Sequence, residues 1–149
     1  MTTMNRVRTL RGRIDPNLAK RLILGDANFT TAYKVLRFIV FPENPASGGD
    51  DSVFGTLALD QDGSATRWLA DDNRQIGWAG TNQSGTGYGA ESPFSYITPD
   101  HIVVEDLWVM CSRASGTDKI NYVVELEVVD ITMDQAVLAL IKERSQDDL

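Results

Sequence analysis

One cysteine and one histidine are all that this chain of 149 residues offers to thiol and imidazole chemistry. Cys111 alone excludes an internal disulfide and any cysteine-rich zinc site, which leaves stability to packing, within the chain or against partner subunits. With His101 as the single histidine, a Ser-His-Asp arrangement has one place to form. No Gly-x-Ser-x-Gly segment sets a serine on a strand-to-helix turn for it. Long apolar runs are missing too: the longest, Ala136 to Ile141, is much too short to span a bilayer, and no membrane association is expected. The early arginines are followed by no apolar segment, so the first residues do not read as a secretory signal. Hydrophobic heptads and repeats of fixed period are absent.

What is present suits one globular domain over residues 1–149, with 42% hydrophobic and 23% charged residues. A chain of this size buries roughly 68–70% of its unfolded surface. Its net charge of −7 is unevenly placed. Residues 1–24 carry Arg6, Arg8, Arg11, Arg13, Lys20 and Arg21 against Asp15 alone, a local +5, which leaves −12 on the other 125 residues. A basic N-terminal arm, residues 1–14, on an acidic body fits contact with an acidic neighbour or with nucleic acid. The plain alternative is an edge strand guarded by positive charge. Val7, Leu10 and Ile14 favour packing, and the arginines are sparser than in arms that bind genomes.

Alternation of apolar residues marks the strands. Asn5 to Arg13 reads as extended, with a register slip near Thr9-Leu10, where the arginines move from even to odd positions. Leu18 to Leu24 fits one helical turn or a short strand. Thr31 to Phe41 is the clearest early strand, apolar on both faces toward its end, as a central strand would be. Val53 to Leu59, Thr66 to Ala70 and Gln75 to Ala79 follow as strands, and Gly80 to Pro93 is a long aperiodic stretch. His101 to Cys111 reads as a strand whose antiparallel partner is Ile120 to Ile131. Thr132 and Gln135 then form a capping box for a helix over 132–146, with Met133, Val137, Leu140 and Ile141 on one face. Short strands separated by turns, without alternating helices, predict a mainly β fold: an antiparallel β-sandwich, jelly-roll-like, with one C-terminal α-helix.

Chemistry is harder to place. His101 beside Asp100 is the only centre for a divergent hydrolase, and a turn or strand-edge role accounts for it more simply. Cys111 is inert if buried. Asp60 and Asp62 resemble the start of a calcium loop, but the glutamate that should stand twelfth is Asp71, so a turn explains them with less. Neither a metal nor any other cofactor is expected. Gly85 to Gly89 lacks the Gly-Lys-Ser/Thr end of a phosphate loop. Trp68, Trp78, Tyr88, Phe94 and Tyr96 cluster in the loop-rich middle, where Trp78, Tyr88 and Tyr96 are candidates for a ligand platform; tryptophans of a small β domain are more often core.

Four segments carry a resemblance: Arg11-Gly-Arg-Ile-Asp-Pro16, Asp72-Asn-Arg-Gln-Ile-Gly-Trp78, Thr98-Pro-Asp-His-Ile-Val-Val-Glu-Asp-Leu-Trp108 and Leu138-Ala-Leu-Ile-Lys-Glu-Arg-Ser-Gln146. In these the chain resembles the small β-sandwich structural proteins of marine bacterial virus particles. The resemblance implies a jelly-roll-like fold, many copies in a virion and no catalysis, and it assigns no functional residue. The leading expectation is therefore a non-enzymatic virion structural protein whose partners are its own copies and other virion proteins. Arg6, Arg8, Arg11 and Arg13, the helix residues Leu140 and Ile141, and Asp147 and Asp148 of the tail are the candidate subunit contacts. A carbohydrate- or receptor-binding module is the main rival.

Overall fold

The computed structural model describes residues 7–24, 31–44, 52–61, 67–82, 94–104, 106–114 and 116–130. Eight strands lie among them: β1 (Val7–Ile14), β2 (Ala19–Ile23), β3 (Thr31–Pro42), β4 (Val53–Ala58), β5 (Gln75–Thr81), β6 (Phe94–Ile97), β7 (Asp106–Arg113) and β8 (Ile120–Asp130). They form two antiparallel sheets, one ordered β1-β8-β3 and the other β2-β7-β4-β5-β6. The chain is thus mainly β, with no helix among the described residues. The helix expected over 132–146, with its capping box, lies outside them.

Alternation decides which side of each strand is buried. Ile120, Tyr122, Val124 and Leu126 of β8 point inward, between Asn121, Val123, Glu125 and Glu127. Val53 and Leu57 of β4, and Leu107, Val109 and Cys111 of β7, do the same from the second sheet. Both sheets contribute to one hydrophobic core, in which Phe38, Leu57, Leu107, Ile120 and Leu126 are the largest fully buried side chains. Gly55 makes room at its tightest point. A Cβ there would lie 2.7 Å from Val40 Cγ1 and 2.9 Å from Phe38 Cζ, so β4 packs against β3 through bare backbone. Gly55→Ala is expected to cost roughly 1–3 kcal/mol, seen as a lower urea midpoint with unchanged slope.

Several features depart from the sequence-based expectations. The segment over 18–24, left open between helix and strand, is strand β2. β1 runs against β8 in unbroken register, so no slip occurs at Thr9-Leu10; the irregularity is in β3, between Val35 and Arg37. That bulge admits Leu36 and shifts the inward set from Tyr33 and Val35 to Phe38 and Val40. β7 begins only at Asp106, and it pairs with β2 and β4, whereas β8 pairs with β1 and β3. The expected hairpin between them does not form. The intervening segment is longer than the usual hairpin loop and carries the chain from one sheet to the other. The described part of the expected strand at 66–70 is not a strand. Its backbone is held by Gln75 instead: Leu69 N–H donates to Gln75 Oε1 (2.9 Å), and Gln75 Nε2 donates to Arg67 C=O (3.0 Å).

β3 borders the first sheet, yet its outer backbone edge has partners at Tyr33, Val35, Phe38 and Val40. Tyr33 exchanges two backbone hydrogen bonds with Val103 (2.8 and 2.9 Å). Val35 N–H donates to His101 Nε2 (2.9 Å). Beyond the bulge, Phe38 C=O accepts from Ser95 Oγ and Val40 C=O from Thr81 Oγ1, both at 2.6 Å. Buried backbone groups need such partners, and here loop and β5–β6 side chains stand in for a missing strand.

Candidate functional site

The meander β4-β5-β6 sets the geometry of the most distinctive surface. Its registers place Phe54, Gly80 and Phe94 in one row and Thr56, Trp78 and Tyr96 in the next, two residues along each strand and so on the same side of the sheet. Val53 and Gly55 face the core, which turns Phe54 outward. Trp68 reaches this face from the loop before β5, and its Nε1–H donates to Gly55 C=O (3.2 Å). Gly80 leaves the space it fills: a Cβ there would stand 3.3 Å from both Trp68 Cη2 and Phe54 Cδ1.

The rings then meet in sequence. Trp68 takes Phe54 edge-on (5.7 Å between centroids, 82° between planes) and stacks on Phe94 (5.5 Å, 28°). Trp78 stacks on Tyr96 (6.1 Å, 22°). Each such pair contributes about 0.5–1.5 kcal/mol beyond area burial, enough to hold the rings in place without hiding them. Phe94 and Tyr96 remain 50% and 53% exposed, Trp68 41%, Phe54 38% and the adjacent Leu69 37%. Trp78 is only 8% exposed, with its Nε1–H on Gln75 Oε1 (2.9 Å), and serves as the floor under Tyr96.

The outer face of the first sheet is different in kind. Glu127 lies opposite Lys34 and Glu125 opposite Arg37, cross-strand pairs of opposite charge on a wetted surface. Arg11 and Arg13 of β1 share this side, and Arg13 Nη1 donates to Glu43 (2.7 Å). Arg8 and Arg11 are exposed, and neither has a partner among the described residues. From Val7 onward the basic segment is thus an edge strand, paired on one side and guarded on the other by positive charge. Lys20 and Arg21 of β2 are each engaged, Lys20 Nζ 5.5 Å from the Tyr122 ring centroid and Arg21 Nε on Asp106 (2.6 Å).

The residues that could do chemistry are apart. His101 is buried against β3, its Nε2 accepting from Val35 N–H and its Nδ1–H donating to Thr98 C=O. Both ring nitrogens are therefore bound to backbone, and Asp100 is exposed. Burial pushes the imidazole below its ordinary value; the Thr98 contact opposes this, and the Lys34 charge reinforces it. Cys111 is fully buried, and desolvation raises its thiol to about 12. Asp72 is held below its usual range chiefly by the Arg74 side chain, which donates to both of its oxygens at 2.9 Å. Asp60 follows β4 and is partly buried, whereas Asp62 lies outside the described residues, among which no three His, Cys, Asp or Glu side chains gather as cation ligands. No helix among them is long and apolar enough to cross a membrane.

Of the platform residues expected from sequence, Trp78 and Tyr96 come together and Tyr88 lies outside the described residues. Arg8, Arg11 and Arg13 share one strand; Arg6, Leu140, Ile141, Asp147 and Asp148 are likewise outside. Phe54 was not foreseen, although the inward parity of Val53 and Leu57 would have turned it to the surface. These features define a two-sheet antiparallel β protein with an aromatic outer surface at one end of its larger sheet. No protein-family model matches the chain, and no curated protein does.

Proposed function

We propose that this protein is a non-enzymatic structural component of a virus particle, an antiparallel β-sandwich of jelly-roll type with a C-terminal helix that assembles in many copies. The observation that carries the assembly is the contiguous exposed surface of Phe54, Trp68, Phe94 and Tyr96. Aromatic residues are enriched where proteins meet, and a contiguous apolar patch marks an interaction site more often than chance exposure does. The virion assignment rests on the sequence resemblance, and the partners it names are further copies and other virion proteins. Arg8 and Arg11, exposed on an otherwise acidic protein, supply charge that steers and orients such contacts. A glancing contact of the same arm with nucleic acid would show as binding that falls steeply with salt.

Sedimentation of the purified protein tests this reading. Association that strengthens with concentration and shifts with ionic strength is expected. A monomer persisting at millimolar concentration in low salt overturns it. The stacked pair Trp78–Tyr96 favours a second reading, a carbohydrate- or receptor-binding module, because a flat exposed ring is what a sugar face stacks on. Quenching of tryptophan fluorescence by oligosaccharides, without any self-association, would select that reading instead.

A further inference from the structure

We infer that His101 is a proton-sensitive latch, which at neutral pH ties the segment 98–104 to the edge of β3 and on protonation releases it. Hydrogen-bond direction fixes the state of the ring. Val35 N–H can only donate, so His101 Nε2, 2.9 Å away, has to be the bare nitrogen that accepts. Thr98 C=O can only accept, so Nδ1 carries the ring's one proton. The neutral Nδ1–H tautomer is therefore fixed by backbone on both sides. A second proton would have to sit on Nε2, where the Val35 hydrogen already points. Two donors would then face each other, and the contact has to open.

Charged groups around the ring do not soften this. Lys34 on β3 opposes a further positive charge, and its strand neighbour Tyr33 pairs through its backbone with Val103. Glu127 of β8 stands opposite Lys34 in register, and Asp100, on the same segment as His101, is exposed. Release has a defined reach. The only backbone pairing between this segment and β3 is the Tyr33–Val103 bridge, immediately beside the histidine contact. With His101 withdrawn, the edge of β3 at Tyr33 and Val35 is uncovered, and an uncovered edge is available to another strand. The latch rests on the fold alone and stands whether or not the assembly reading holds.

Because the folded ring binds its proton less readily than the free one, the unfolded chain is protonated first as pH falls. The contribution of His101 is then complete above its ordinary value of about 6.5 and is lost progressively below it.

Hydrogen exchange of the native protein tests the latch. Between about pH 7.5 and about pH 5, the window in which imidazole changes charge, the protection factors of the Val35 and Val103 amides should fall. The drop in their protection is expected to be at least about tenfold, because a released ring is almost wholly protonated near pH 5. In His101→Gln, whose amide oxygen can accept from Val35 but does not titrate, the drop should vanish. An equal drop in both proteins, or none in the wild type, overturns the inference. If the variant fails to fold, nitrogen NMR of the wild-type imidazole decides: a bare Nε2 at neutral pH, with the Val35 amide shifting as the ring titrates, is expected. A protonated Nε2 at neutral pH, or a ring that titrates without moving Val35, overturns it.

Discussion

Replacing Phe94 and Tyr96 together with alanine is expected to weaken self-association by roughly 30-fold or more, equivalent to about 2 kcal/mol for one well-seated aromatic anchor. Half of each side chain is already in water, and β6 is a short border strand, so the fold has little to lose. What is lost is specific. Phe94 is the ring on which Trp68 stacks, and Tyr96 covers Trp78. Without them the surface keeps its tryptophans but no longer presents a continuous ledge. Equilibrium sedimentation of the double variant beside the wild type gives the change, and a melting temperature within a few degrees of wild type shows that it is not a folding defect. Charge changes at Arg8 and Arg11 should act differently, altering the salt dependence of association more than its strength.

Phe38→Ala is expected to cost about 3–5 kcal/mol of stability. Phe38 is fully buried, and its ring reaches the place where Gly55 has no side chain. No neighbour can readily fill the hole, because Gly55 contributes only backbone there and Val40 already abuts the same spot. Phe38 also follows the bulge that sets which β3 side chains face inward, and its carbonyl is bonded by Ser95. Against a total stability of about 5–15 kcal/mol for an ordinary domain, this single loss is enough to leave much of the protein unfolded at physiological temperature. Urea denaturation reads it as a lower midpoint with an unchanged slope. A loss below about 1 kcal/mol would mean that the two sheets are not locked together at this point.

The strands that were legible in the sequence are those whose alternation runs long. Thr31 to Phe41 and Ile120 to Ile131 could be drawn from their apolar periodicity, and the structure has them as β3 and β8. Which strand pairs with which was not legible, because alternation fixes the face of a strand and says nothing about its neighbour. β7 and β8 look like a hairpin by order alone, and only the crossover between sheets separates them. β6 was missed since four residues after a glycine-rich stretch carry too little pattern, and its place comes from β5 alongside.

The aromatic surface was half visible. Trp78 and Tyr96 stood out by type, but their stacking depends on a register that no local pattern encodes. Gly80 looked like the first residue of a loop; it is a gap in a sheet that a distant tryptophan fills. His101 was legible as a turn or strand-edge residue, and its partner Val35, across the fold on β3, was not.

Hydroxyl-radical footprinting of the protein in dilute and in associated form reports on the side chains of the aromatic surface themselves. If copies join through the face of β4–β5–β6, labelling of Trp68, Phe94 and Tyr96 falls several-fold on association, while that of buried Trp78 stays low throughout. Association with these three rings labelled as heavily as in the monomer would contradict the account.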